Sequence, residues 1–139
     1  MRDKSLKVYK RLLIKLGSIT SGRIRVFLYR KAGMKIGNNV QIASGIHVDR
    51  PEGISIGNNC FINHFVHFHN GANPAAKITI GDNVFLGPEV KFVCATHEIG
   101  DSHQRAGDNK YGSITVENGV WIGACALLLP GIKISPGGG

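Results

Sequence analysis

Cysteine is scarce in this 139-residue chain, with three residues at Cys60, Cys94 and Cys125. They are far apart and odd in number, which argues against a disulfide framework and gives no paired metal-ligand spacing. Reduced thiols of the core or rim are the expectation. Long apolar runs are missing too. None approaches the roughly 18 residues that span a bilayer. The N-terminus lacks the apolar core and small-residue cleavage site of a secretory signal, so the expected location is cytoplasmic. Acid is nearly absent from residues 1–35, which carry eleven Lys/Arg against Asp3 alone. Residues 36–139 carry six Lys/Arg against eight acids. The net charge of +8 therefore belongs to the N-terminal segment. No aromatic-basic platform or recognition motif accompanies it, which removes nucleic acid from the expected partners.

Glycine is abundant, at 19 residues, and 42% of the chain is hydrophobic. From Ile36 the chain can be written in sixes: IGNNVQ, IASGIH, VDRPEG; IGNNCF, INHFVH, FHNGAN; IGDNVF, LGPEVK, FVCATH; VENGVW, IGACAL, LLPGIK; ISPGGG. The first position of each is Ile, Leu, Val or Phe, and the fifth is mostly small or β-branched. A period of six fits neither an amphipathic helix nor strand alternation. It fits a short strand, a turn and another strand at a fixed angle, stacked as a parallel β-helix. The aliphatics point inward, and Asn and Gly tolerate the backbone angles of tight corners. Coil starts fall at Ile36, Ile56, Ile80, Val116 and Ile134, 20, 24, 36 and 18 residues apart. An eighteen-residue coil leaves insertions near 53–55, at 73–79 and at 98–115. The longest follows His97 and is expected as a polar loop over 98–113.

The hexads, with "IGDNVFLGPEVKFVCATHEIG" and "ITVENGVWIGACALLLPGIKI", make residues 34–137 resemble the hexapeptide-repeat acyltransferases. The closest branch is that of the maltose, galactoside and nodulation O-acetyltransferases. The resemblance implies an all-β, left-handed parallel β-helix of about four to five coils over residues 34–139, assembled as a homotrimer. It implies acetyl-CoA as co-substrate in a cleft between neighbouring subunits, and a sugar or glycolipid acceptor of surface-polysaccharide or lipid-linked sugar biosynthesis. Parallel crossovers are normally right-handed, and only the resemblance overrides that rule. Other hexad proteins leave two alternatives open: a zinc enzyme like the γ-class carbonic anhydrases, and a non-catalytic trimeric assembly module.

The resemblance also implies site residues. A sugar hydroxyl is a poor nucleophile at neutral pH and needs a base as it attacks a thioester. His97 takes that role, with the insertion as an arm over the cleft. Asn63, Arg105 and Glu98 are expected at the acceptor. Trp121, Gly123 and Ala124 are expected at the cofactor, with the Ala124 N–H steadying the oxyanion. His69, Asn70 and Gly71 stand where relatives often carry acids. No metal site is assigned. His47, His64, His67, His69 and His103 are expected at the cleft or interface, although His67 and His69, two apart on a strand, share a face and could meet one ion.

Residues 1–33 form a separate basic segment. Lys4, Lys7, Arg11 and Lys15 oppose a stripe of Leu6, Tyr9, Leu13 and Leu16, with Leu12, which predicts an amphipathic helix ending at Gly17. "GRIRVFLYRKAG" follows as a second short run. The segment is expected to cap the open first coil and, through residues 1–31, to touch the anionic inner-membrane surface. The stop at "ISPGGG" predicts missing C-terminal coils and weak acetyl-CoA affinity.

Overall fold

The computed structural model describes residues 3–139. Three parallel sheets form the walls of a triangular prism. The first wall stacks Lys35–Ile36, Ile54–Ile56, Ile78–Ile80, Ile114–Val116 and Lys133–Ile134. The second stacks Gln41–Ile42, Phe61–Ile62, Phe85–Leu86 and Trp121–Ile122, and the third His47–Val48, His67–His69, Lys91–Val93 and Leu127–Leu128. The register runs Ile36–Ile56–Ile80–Val116–Ile134, which is the series of predicted coil starts.

Each strand is only two or three residues long, so no wall is stable alone. Stability comes from stacking like residues inward. Ile62, Leu86, Phe68 and Phe92 are fully buried, as are Val66 and Val90 at the fifth positions. The Phe68 and Phe92 rings stack with centroids 5.2 Å apart. Each such side chain contributes about 1.5–3 kcal/mol on burial. The corners need left-handed backbone. At the first corner Asn39, Asn59, Asn83 and Gly119 supply it, with φ between 53° and 71°. At the second corner it falls on Gly45 and then on Phe65, Glu89 and Cys125, with φ of 59°, 61° and 62°. None of those three side chains favours that region.

All three insertions leave the prism at the third corner. The first is a single 3-10 turn, Pro51–Gly53. The second, residues 70–77, is held by Arg50, whose guanidinium donates to the Gly71 and Asn73 carbonyls at 3.3 and 2.7 Å. Asn70 is fully buried, bonded through its amide to both the N–H and the C=O of Arg50. The third is not a loop. It is an antiparallel hairpin, Ala95–Ile99 against Ala106–Tyr111, with an irregularity between His97 and Ile99. The coil therefore ends at Cys94, three residues before His97, and Gly112 N–H closes the hairpin base on the Cys94 carbonyl at 2.9 Å.

Two helices, α1 (Lys4–Ile19) and α2 (Gly22–Ala32), cover the first coil. Ladder bonds run from the N–H of one coil to the C=O of the next, as in Gly37 to Ile56 and Ala43 to Ile62. Other bonds run the opposite way, from Asn59 N–H to Asn38 O and from Phe65 N–H to Ser44 O, so only some first-coil carbonyls, among them those of Ile36 and Ile42, face the open end. Arg30 donates to Ile36 O at 3.1 Å and Arg25 to Ile42 O at 2.6 Å. Arg25 is itself buried, and its Nε holds the Gly17 carbonyl at 2.8 Å. Helix α1 continues two residues past its predicted end at Gly17. That glycine is buried against the Tyr29 ring of α2, so its role is close packing and not termination.

Candidate active site

His97 sits on the first hairpin strand with its ring exposed. Its Nδ1 lies 3.0 Å from the Gly107 carbonyl oxygen on the facing strand. A carbonyl only accepts, so Nδ1 donates, and in the neutral imidazole the lone pair falls on Nε2. A backbone irregularity beside it is a common way to re-aim a side chain near a site.

The neighbouring hairpin residues are engaged with each other. Glu98 meets Lys110 at 3.2 Å, both well exposed, so the pair contributes little. Arg105 donates to the Gly100 carbonyl at 3.2 Å and closes the tip.

Asn63, Gly123 and Ala124 stand at the second corner, between the second and third walls. The pairing of Ile62 with Leu86 and of Leu86 with Ile122 stacks Asn63, Gly87 and Gly123 in one column. Asn63 accepts from the His64 N–H at 2.8 Å through its side-chain oxygen. Ala124 N–H has no hydrogen-bond acceptor among the described residues, and the residue is exposed. Gly87 lies so close beneath that an added Cβ would meet Ala124 N at 2.7 Å. Trp121 is 64% exposed on the second wall, in register with Phe85 and Phe61, whose rings stack at 4.8 Å. This outward aromatic ladder was missed in the sequence, although Phe61 and Phe85 share the sixth hexad position with Trp121.

His97 does not converge with these groups inside one chain. It leaves from the third corner, while Asn63 and Ala124 occupy the second. Asn70 is buried among backbone groups and unavailable to a ligand. The histidine-rich stretch lies one strand from the hairpin base, since His69 pairs with Val93. Burial first, then His69, His47 and Lys91, holds the His67 imidazole below its ordinary value.

No protein-family model matches the chain. A galactoside O-acetyltransferase of Lactococcus lactis is 31% identical over 77 residues, 50% of this chain and 37% of that protein. The matched segments span about a third of the length of the curated relatives. Among solved structures, a maltose O-acetyltransferase from Clostridium difficile matches with a TM-score of 0.71 at 30% identity, covering 94% of this chain and 71% of that one. The chain belongs to the hexapeptide-repeat acetyltransferases. Another member of this family, from Vibrio cholerae and complexed with acetyl-CoA, has a TM-score of 0.83 at 26% identity, covering 96% of this chain and 72% of that one. The hexapeptide-repeat likeness thus extends over the capping helices as well as the prism.

Proposed function

We propose that the chain carries out acetyl-CoA-dependent O-acetylation of a sugar hydroxyl, with His97 as general base. The observation that carries the reading is the Nδ1 contact to Gly107, which leaves Nε2 free at the place where the prism is broken open. In this reading the acceptor hydroxyl oxygen attacks the thioester carbonyl carbon as its proton passes to Nε2. The C=O electrons move onto oxygen, and the Ala124 N–H donates to that oxyanion. Collapse breaks the C–S bond, and the departing CoA sulfur takes the proton back from the imidazolium. Transfer is direct, with no acetylated enzyme.

Asn63 orients the acceptor, and Trp121 and Gly123 wall the pantetheine arm. Glu98 and Arg105 meet the acceptor from the hairpin rim. The winding is left-handed, and the assembly is a homotrimer in which the hairpin of one copy reaches the second corner of another. Support comes from the separation of His97 and Ala124 on different corners and from the exposed ladder of Phe61, Phe85 and Trp121. The acceptor is a surface-polysaccharide or lipid-linked sugar, met in the cytoplasm at the inner-membrane face. Exposed Leu12, Leu16, Ile19 and Phe27 beside the basic residues of α1 and α2 support that contact. No helix among the described residues is long and apolar enough to cross a membrane.

The test is release of free thiol from acetyl-CoA across a panel of sugars and glycolipids. Acceptor-dependent release with a matching acetylated product is expected. Stoichiometric acetyl-CoA binding without transfer to any member of the panel would overturn the reading in favour of an assembly role.

A further inference from the structure

Strand geometry builds a square of ligand-bearing residues on the third wall. His47 and Asp49 are two apart along the first coil and share its outward face, and His67 and His69 do the same one coil on. His47 is in register with His67. Neighbours across coils lie roughly 4.8 Å apart at the backbone, close enough for their side chains to converge.

They do converge. His47 Nε2 lies 2.9 Å from Asp49 Oδ1, and His69 Nδ1 lies 3.6 Å from Asp49 Oδ2. The three donor atoms fall within 4.8 Å of one another. Tetrahedral zinc, with bonds of about 2.0–2.1 Å, needs donors roughly 3.3 Å apart, so small side-chain rotations suffice. The surroundings are ordered as around a metal. His69 directs its other nitrogen, Nε2, at His67 Nδ1, 3.2 Å away, which orients the ring. The Gly71 N–H donates to Asp49 Oδ2 at 3.2 Å and holds the carboxylate. His47 and Asp49 also line a groove of about 820 Å³ between α1 and the first coil, so the donors are reachable from solvent.

We infer that His47, Asp49 and His69 form a binding site for one divalent transition-metal ion of the zinc class, with His67 orienting His69 and an open coordination position facing the groove. Two imidazoles and one carboxylate suit zinc and its neighbours, whereas calcium and magnesium take oxygen donors. The pairing differs from the one suggested by sequence. His67 and His69 do not share an ion, because His69 turns its Nδ1 to Asp49 on the adjacent coil. The site stands independently of acetyl transfer by His97.

The experiment is titration of the tag-free, metal-stripped chain with Zn²⁺ against a chromophoric chelator, with Co²⁺ absorption reporting coordination. One equivalent per chain is expected. Asp49→Asn and His47→Gln, both at exposed positions, should weaken binding at least tenfold. His67→Ala should weaken it about tenfold, through loss of the orienting contact. His103→Ala and His64→Ala should leave it unchanged. Absence of saturable binding at one equivalent would overturn the inference. So would wild-type affinity in both Asp49→Asn and His47→Gln, which marks the cluster as a surface ion pair only.

Discussion

His97 and Gly107 face each other across the hairpin, with the imidazole Nδ1 3.0 Å from the glycine carbonyl oxygen. This contact directs Nδ1 to a backbone atom that no side-chain change removes, and it leaves Nε2 for the proposed role as base. Replacing His97 with Ala should lower kcat at least about a hundredfold. The hairpin itself should persist, since its ladder is backbone. Thiol release from acetyl-CoA measures the first expectation and circular dichroism the second. Near-normal turnover would end the role assigned to His97.

Gly87 offers a way to move the Ala124 N–H, the proposed oxyanion donor, without touching it. A Cβ there would lie 2.7 Å from Ala124 N and 2.9 Å from Gly123 C, both backbone atoms that cannot swing aside. Gly87→Ala should displace the Ala124 N–H and cost kcat on the order of the 10²–10³ lost with an oxyanion donor. Gly123→Ala meets nothing within 4 Å and should keep the wild-type melting temperature. Equal kcat in wild type and Gly87→Ala would show that the donor lies elsewhere.

Tyr29 is fully buried, and its hydroxyl has no hydrogen-bond partner among the described residues. Desolvation outweighs the opposing Arg25 charge and pushes the phenol up to about 12. Cys94 is pushed up to about 11, chiefly by burial. Both groups are held neutral in the fold, so the unfolded chain binds fewer protons above its own lower pKa values. Stability is full below pH 9 and should fall as pH rises through 9–12. Tyr29→Phe removes the stranded hydroxyl. It should raise the melting temperature at pH 7 and flatten the decline between pH 10 and 12. A lower melting temperature at pH 7 would show that the hydroxyl is satisfied.

Two glycines of the helical cap should respond in opposite directions. A Cβ on Gly17 would come within 3.0 Å of the Tyr29 ring atom Cδ1 and closer still to Cε1. Gly17→Ala should therefore destabilise by about 1–3 kcal/mol through overpacking. Gly22, at the start of α2, has open space around it. Gly22→Ala should stabilise by about 0.4–1 kcal/mol by restricting the unfolded chain. Denaturant midpoints at constant slope test both.

Membrane contact predicts sedimentation with vesicles containing anionic lipid and none with neutral ones. Binding should fall steeply between low and physiological salt, because exposed charges are screened over about 8 Å at physiological ionic strength. Phe27→Ser should weaken it, since this half-exposed ring stands on the outer face of α2 with Lys31 above it at 5.8 Å. Equal binding to neutral vesicles would remove the electrostatic argument.

The repeat was legible because each coil demands the same thing at the same place. An aliphatic must point inward every six residues, and a misplaced one would put apolar surface in water. That constraint wrote the register from Ile36 to Ile134 into the sequence. Helix α1 was legible from its charged face, but its buried face was not: Leu6, Tyr9 and Leu16 of the expected stripe are about half exposed, and Leu13, Ile14 and Gly17 are the residues that pack inward. The exact end of α1 was not, because Gly17 looks like a stop until Tyr29 is seen against it. The hairpin was hidden as well. Its strands are exposed on both sides and carry no alternating pattern, so nothing in residues 95–111 announced a ladder.

The sequence by itself determined the prism and its coil starts, since both follow from periodicity, while the break falls at Cys94, three residues before the place the hexads gave it. Tertiary structure alone decided which groups meet. Asp49 and His69 lie 20 residues apart and touch because one coil closes in that distance. His97 and Ala124 lie on different corners because the hairpin leaves the prism after the third wall. Contacts between coils depend on which residues are paired across the walls, and insertions of different lengths at the third corner leave that pairing intact.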